Sequence, residues 1–193
     1  SAAERAALTA TSPPPKPVEL PQPQGPGQAW TLDTVVAVAP RTSAGRDFEN
    51  GKRTFAAARC IVCHRFDGEG GATGPDLTNV AGRFSHRDLA DALITPSKVI
   101  SDQYGASIIE TADGKLVTGR VVGDDGKTIT VQTDPEDATK VLEIANDNIE
   151  LLEPSRTSLM PEKLLDVLSE QEVLDLLAFL LSRGNPEDPM FNK

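Results

Sequence analysis

Two thiols and an imidazole stand in a fixed local pattern, Cys60-Ile61-Val62-Cys63-His64. Thiols separated by two residues can each add across one vinyl group of the same haem. The adjacent histidine then lies beneath the iron as an axial ligand. Cys-x-x-Cys-His is the pattern of c-type haem attachment. Cys60 and Cys63 are the only cysteines of the chain, so no thiol is left over. Rival chemistries ask for more than the sequence offers. A thioredoxin-like pair wants a βαβ setting around its two cysteines, and none is visible. A structural zinc site needs four ligands. Only Cys60, Cys63, His64 and His86 could supply them, with Cys63 and His64 too close for a tetrahedral clamp. A disulfide across the short loop stays open for an oxidising compartment.

An iron-bound histidine needs a partner for its second ring nitrogen, which fixes tautomer and orientation. Gly74-Pro75-Asp76-Leu77 follows closely enough for the Pro75 carbonyl to serve and for Leu77 to pack on the haem face. For the opposite side of the iron there are two methionines. Met160 stands in Ser158-Leu159-Met160-Pro161, just before the last helical region, while Met190 stands in a Pro- and Asp-rich tail. A thioether ligand raises the reduction potential and suits electron transfer, which favours Met160 over a core-filling or tail methionine. The metal ligands expected are therefore His64 and Met160. An open sixth position, or His86 there, is the alternative. Arg65 and Arg83 are candidates to pair with propionates, and Tyr104 and Trp30 to hydrogen-bond them or flank the haem edge.

Helices and strands must position these groups. Phe48, Gly51, Lys52 and Phe55 recur at helical spacing in a helix expected over about 44–59, with Gly51 leaving room for a close crossing. Ser85-x-x-Asp88 reads as a capping box before Leu89, Ala92 and Leu93, and Pro96 stops that helix. Ser169-x-x-Glu172 caps the last helix, whose stripe is Val173, Leu176, Leu177 and Leu180, with Gly184 at its end. Between them the period falls to two. Strands are expected over 107–111, 116–122, 128–133, 140–145 and 148–152, with Asp113-Gly114 and Asp125-Gly126 as turns. The fold class expected is mainly α, a helical haem domain carrying an inserted small antiparallel β-module. Structural cover for the haem edge is the preferred role of that module, with a docking surface as the alternative.

This organisation divides the chain into a lead-in over 1–40, a first helical part with the attachment motif over 41–98, the β-module over 99–153 and a closing helical part over 154–193. Seven prolines from Pro13 to Pro26 make the start a semi-rigid tether. Packing is expected to begin at Trp30-Thr31-Leu32. The chain has 193 residues and a formal net charge of −10. That balance argues against nucleic acid as partner, because phosphate binding needs basic patches. A partner with a basic docking face fits it better. No apolar run is long enough to span a bilayer, and Ser1-Ala2-Ala3-Glu4-Arg5 lacks the apolar core of a secretory signal. Haem attachment of this kind normally occurs outside the cytoplasm, so a periplasmic or other extracytoplasmic location is expected, in a mature or excised chain.

Cys60-x-x-Cys63-His64, Gly68-x-Gly70-Gly71, Gly74-Pro75-Asp76-Leu77, Pro96-Ser97 and Ser158-Leu159-Met160-Pro161 together resemble one family. It is the haem-binding c-type cytochrome domain common in planctomycetes and verrucomicrobia, often C-terminal in large membrane-associated dehydrogenase-like proteins. The resemblance covers about residues 46–191. It implies a class I cytochrome c-like fold in which the first and last helices cross, Gly51 and Phe55 meeting Ala178 and Phe179. It also implies one covalent haem c. The β-module lengthens the interval between histidine and methionine that simple class I cytochromes keep short. The function expected is one-electron transfer by a non-enzymatic domain, in exchange with a redox partner protein, a fused or associated dehydrogenase being the favoured donor. A haem enzyme or gas sensor with a displaceable sixth ligand is the alternative, and an adhesive module ranks last.

Overall fold

The structure, a computed structural model, describes residues 19–192. Pro13, Pro14, Pro15 and Pro17 of the expected tether lie outside the described residues. Helix α1 (Leu32–Val38) opens at Thr31, whose side chain and that of Thr34 form a reciprocal capping box. It runs into a 3-10 turn at Ala39–Ser43. α2 (Phe48–Ala57) starts at the Asp47 cap and stops where Arg59 enters the left-handed region at φ 65°. It is therefore shorter than the 44–59 span expected. α3 (Cys60–Cys63) is the single turn of the attachment motif, followed by the two-residue strands β1 (Arg65–Phe66) and β2 (Glu69–Gly70). α4 (His86–Ile94) carries the Ser85/Asp88 capping box, and α5 (Glu170–Leu181) the Ser169/Glu172 box.

α2 and α5 cross at Gly51. A Cβ there would stand 2.4 Å from the Asp175 carbonyl oxygen and 2.7 Å from the Phe179 Cβ. The close approach thus falls on Asp175 and Phe179, one turn apart on α5. Around the crossing gather Phe48, Phe55, Phe66, Phe179 and Phe191, with ring centroids 4.6–5.9 Å apart. The few aromatics of the chain are concentrated where its helices meet. Gly51→Ala is expected to cost about 1–3 kcal/mol, because backbone must move to admit the methyl and helix propensity returns only about 1. Thermal unfolding of the two proteins measures it.

α5 is buried on all sides from Glu172 to Leu180, not along a single stripe. Its outer face is covered by the second half of the Pro-rich segment. Gln24 N–H and Gly25 N–H donate to the Glu172 carboxylate, and the Gln22 carbonyl accepts from Arg53. Gly27 lies so near the Asp166 carbonyl that a Cβ would meet it at 2.1 Å. Residues 22–27 are thus a strap fastened to the helical body. Trp30 follows, buried, with its indole N–H donating to the Leu168 carbonyl at 3.1 Å.

The expectation of a mainly α fold holds in part: the helices and the inserted antiparallel β-module are both present, and the module is a five-stranded sheet large enough to make the chain α+β. Five strands, β3 (Ser107–Thr111), β4 (Leu116–Asp124), β5 (Thr128–Gln132), β6 (Val141–Ala145) and β7 (Ile149–Pro154), form one antiparallel sheet in the order β6-β5-β4-β3-β7. The first four make a meander. A 3-10 turn at Asn146–Asn148 then returns the chain so that β7 pairs with β3. β4 bends to serve both halves, pairing with β3 up to Gly119 and with β5 from Arg120, with an irregularity between Val121 and Gly123. Ile109, Val117, Ile129, Val131 and Ile144 form a core separate from that of the helices. A module with its own core is a structural unit, not a decorated loop.

Candidate functional site

The attachment motif is wound into one helical turn, so Cys60 and Cys63 leave the same short element three residues apart. Both are free thiols, Cys60 buried and Cys63 half-buried. Burial pushes the Cys60 thiol up to about 12 and raises Cys63 as well, against a hydrogen-bonding pull from Thr73. A redox-active Cys-x-x-Cys needs the opposite, a thiol made acidic by its surroundings. This pair is built to stay neutral.

His64 caps that turn in extended conformation. Its Nδ1 lies 2.8 Å from the Pro75 carbonyl oxygen. A carbonyl can only accept, so Nδ1 carries the proton and Nε2 holds the lone pair. Nε2 has no protein partner among the described residues. Burial lowers the His64 pKa while the bond to Pro75 opposes the shift, so the ring is neutral at physiological pH, the form that binds metal. The loop beneath is made of glycine for lack of room. A Cβ on Gly71 would stand 2.0 Å from the Val62 carbonyl oxygen, and one on Gly74 would stand 2.8 Å from His64 Cε1.

Leu77 and Met160 are half-buried against the helical core, together with Phe84 and Ile94. The Met160 N–H donates to Ser158 Oγ at 3.1 Å, and the Ser158 N–H to Ser97 Oγ at 3.1 Å. The methionine loop is thereby tied to the Pro96-Ser97 end of α4. Met190 belongs elsewhere, in the 3-10 turn Pro189–Phe191, where its carbonyl accepts from Arg46 N–H. His86 Nε2 lies 3.1 Å from Thr42 Oγ1, so that histidine is engaged at the start of α4. Among the described residues no three or more His, Cys, Asp or Glu side chains cluster as a metal cage, which leaves the zinc reading without a fourth and third ligand. The residues present fit a haem instead: two neutral thiols on one turn, an imidazole oriented by its Nδ1–H, and apolar side chains left half-covered.

One further expectation changes. Trp30 is no propionate donor, because its indole N–H is already spent on Leu168. Tyr104 lies beneath the Arg120 guanidinium, 4.8 Å from its ring centroid, in the β-module. The guanidiniums of Arg65 and Arg83 make no hydrogen bond or ion pair among the described residues.

Sequence reasoning missed the contacts that close the Cys63 side. The β5–β6 loop lies against the attachment turn. The Pro135 carbonyl accepts from Cys63 Sγ at 3.2 Å and from Thr73 Oγ1 at 2.6 Å. Glu136 pairs bidentately with Arg59, at 3.1 and 2.5 Å. Both partners are about half exposed, so the pair contributes little stability but holds the loop in register. Arg120 Nη1 donates to the Thr73 carbonyl at 2.8 Å. A cleft of about 290 Å³ between α2 and β1–β2 is floored by Phe55, Phe66 and Phe179, and touches the attachment turn only at Ile61.

The family model for cytochrome c matches residues 48–113. The match includes Cys60, Cys63 and His64 and ends before Met160. It supports a class I c-type cytochrome domain over the matched residues. No curated protein matches the chain. No helix among the described residues is long and apolar enough to cross a membrane.

Proposed function

We propose that this chain carries single electrons through one haem c, held by thioethers to Cys60 and Cys63 and ligated by His64 and Met160. The observation that supports this best is the His64 ring. Its Nδ1–H is committed to Pro75, and its Nε2 carries a lone pair directly after two thiols on one helical turn. A haem bound there supplies a ferric/ferrous couple whose potential follows ligation and burial. Cys60 and Cys63 would hold it through thioethers, and Leu77 would pack against it. His64 and Met160 would supply its iron ligands, Met160 from a loop pinned through Ser158 to Ser97. Arg65 and Arg83 are proposed as propionate partners, being cations without another engagement among the described residues.

The reading extends to a planctomycete- or verrucomicrobial-type domain that works outside the cytoplasm and accepts electrons from a fused or associated dehydrogenase. The acidic chain suits a redox partner with a basic docking face. Potentiometric titration of the haem-loaded protein tests the function. The expected result is a reversible one-electron transition with no spectral change on adding carbon monoxide. A high-spin haem that binds carbon monoxide would instead establish the sensor or enzyme reading.

A further inference from the structure

Thr73 is gripped by the β-module at both its polar ends. Its carbonyl accepts from Arg120 at 2.8 Å, and its hydroxyl donates to the Pro135 carbonyl at 2.6 Å. The next residue, Gly74, donates its N–H to the Cys63 carbonyl at 2.8 Å and lies against the His64 ring. The residue after that, Pro75, supplies the carbonyl on His64 Nδ1. Three consecutive residues therefore connect the sheet to the imidazole. With one end clamped and φ of Pro75 fixed by its ring, few soft dihedrals separate clamp from carbonyl.

We infer that Thr73 and Arg120 are positioning residues for the proximal histidine. The β-module sets the Thr73-Gly74-Pro75 segment so that the Pro75 carbonyl stays on His64 Nδ1–H. This rests on the haem reading above. Both clamps are themselves oriented. The Arg120 guanidinium lies over Tyr104, and the Pro135–Glu136 turn is held by the Glu136 N–H on Asp134 Oδ1 at 2.9 Å and by Arg59. Thioether formation at Cys63 consumes its S–H. The Pro135 carbonyl then keeps the Thr73 hydroxyl as its donor, and the hydroxyl alone carries that contact in the haem-loaded protein.

A firm Nδ1–H···O bond makes the imidazole a stronger donor and favours the ferric state. Loosening it raises the reduction potential. Water admitted past a loosened loop acts in the opposite sense, so the direction of the shift separates positioning from mere packing. The test compares haem-loaded wild type with Arg120→Gln, Arg120→Lys, Thr73→Val and Thr73→Ser. Exchange of the His64 Nδ1 proton is followed by NMR in the reduced protein, and the potential by titration.

Arg120→Gln and Thr73→Val are expected to speed the exchange about tenfold. They are expected to raise the potential by about a tenfold shift in the ferric/ferrous constant, ~59 mV for one electron. Arg120→Lys and Thr73→Ser, which keep a donor in place, are expected to match wild type. Should Arg120→Gln fail to accumulate, Thr73→Val decides alone. Unchanged exchange, or a lowered potential, in haem-bearing variants overturns the positioning role and leaves the haem reading standing. A wild-type chain without covalent haem overturns the haem reading itself, and this inference with it.

Discussion

Met160→Ala is expected to lower the reduction potential of the haem-loaded protein by roughly 0.2 V, a fraction of the ~0.8 V that axial ligation commands. A neutral thioether stabilises ferrous over ferric iron, and water in its place does the reverse. Met160 is well held for the task, half-buried on the helical core with its loop fastened through Ser158 to Ser97. The same variant is expected to lose the far-red ferric band of methionine ligation and to gain carbon monoxide binding. Met190→Ala is the control. Its residue sits in the Pro189–Phe191 turn beside Arg46, and its replacement is expected to leave the potential unchanged. Optical potentiometry on the three proteins measures both. An unshifted potential in Met160→Ala would remove Met160 from the iron.

Glu172→Gln is expected to destabilise the fold by about 2–3 kcal/mol at pH 7, as unfolding at matched conditions would measure. Burial pushes this carboxyl upward, yet donors from Gln24 N–H, Ser169 N–H, Arg53 and the Ser169 hydroxyl outweigh it and hold it down at about 2, against a usual 4.5. The group is nearly inaccessible, so solvent screens it little. A carboxyl depressed on folding stabilises the folded state above its unfolded pKa and loses that contribution as pH falls through the folded value. The wild-type advantage over Glu172→Gln is therefore full above about pH 5 and shrinks toward pH 2. In thermal melts it corresponds to roughly 5–10 °C for a chain of this size. A gap that stays constant from pH 7 to pH 2 would contradict the assigned charge.

What the sequence discloses depends on how far apart the partners lie. Cys60, Cys63, His64 and Pro75 sit within a short stretch, and their chemistry is visible as a string. The Ser85 and Ser169 capping boxes and the Asp-Gly turns are equally local, so the helix starts and the strand order along the chain are readable. Arg120 and Thr73 are 47 residues apart, and Pro135 and Thr73 are 62 apart. Nothing in either neighbourhood marks them as partners, since a threonine, an arginine and a proline are each ordinary in a loop or strand. The strap is hidden for the opposite reason. Its prolines signal extended chain, but the backbone N–H groups of Gln24 and Gly25 that fasten it carry no side-chain signature. α1 is short and rich in valine, a composition that reads as strand as readily as helix. α5 shows a stripe in sequence because its remaining faces include Glu172 and Asp175, carboxylates that only the folded arrangement of Arg53, Arg46 and Asn50 makes buriable.

Electron transfer by this chain rests on covalent haem attachment at Cys60 and Cys63. Its most direct test is the intact mass and visible absorption of the chain, unfolded in denaturant after expression with a haem-attachment system. Thioether attachment predicts a polypeptide heavier by one haem that keeps its haem absorption when unfolded and loses both in the Cys60→Ala/Cys63→Ala double variant. A chain at its bare polypeptide mass, colourless once denatured, would contradict it.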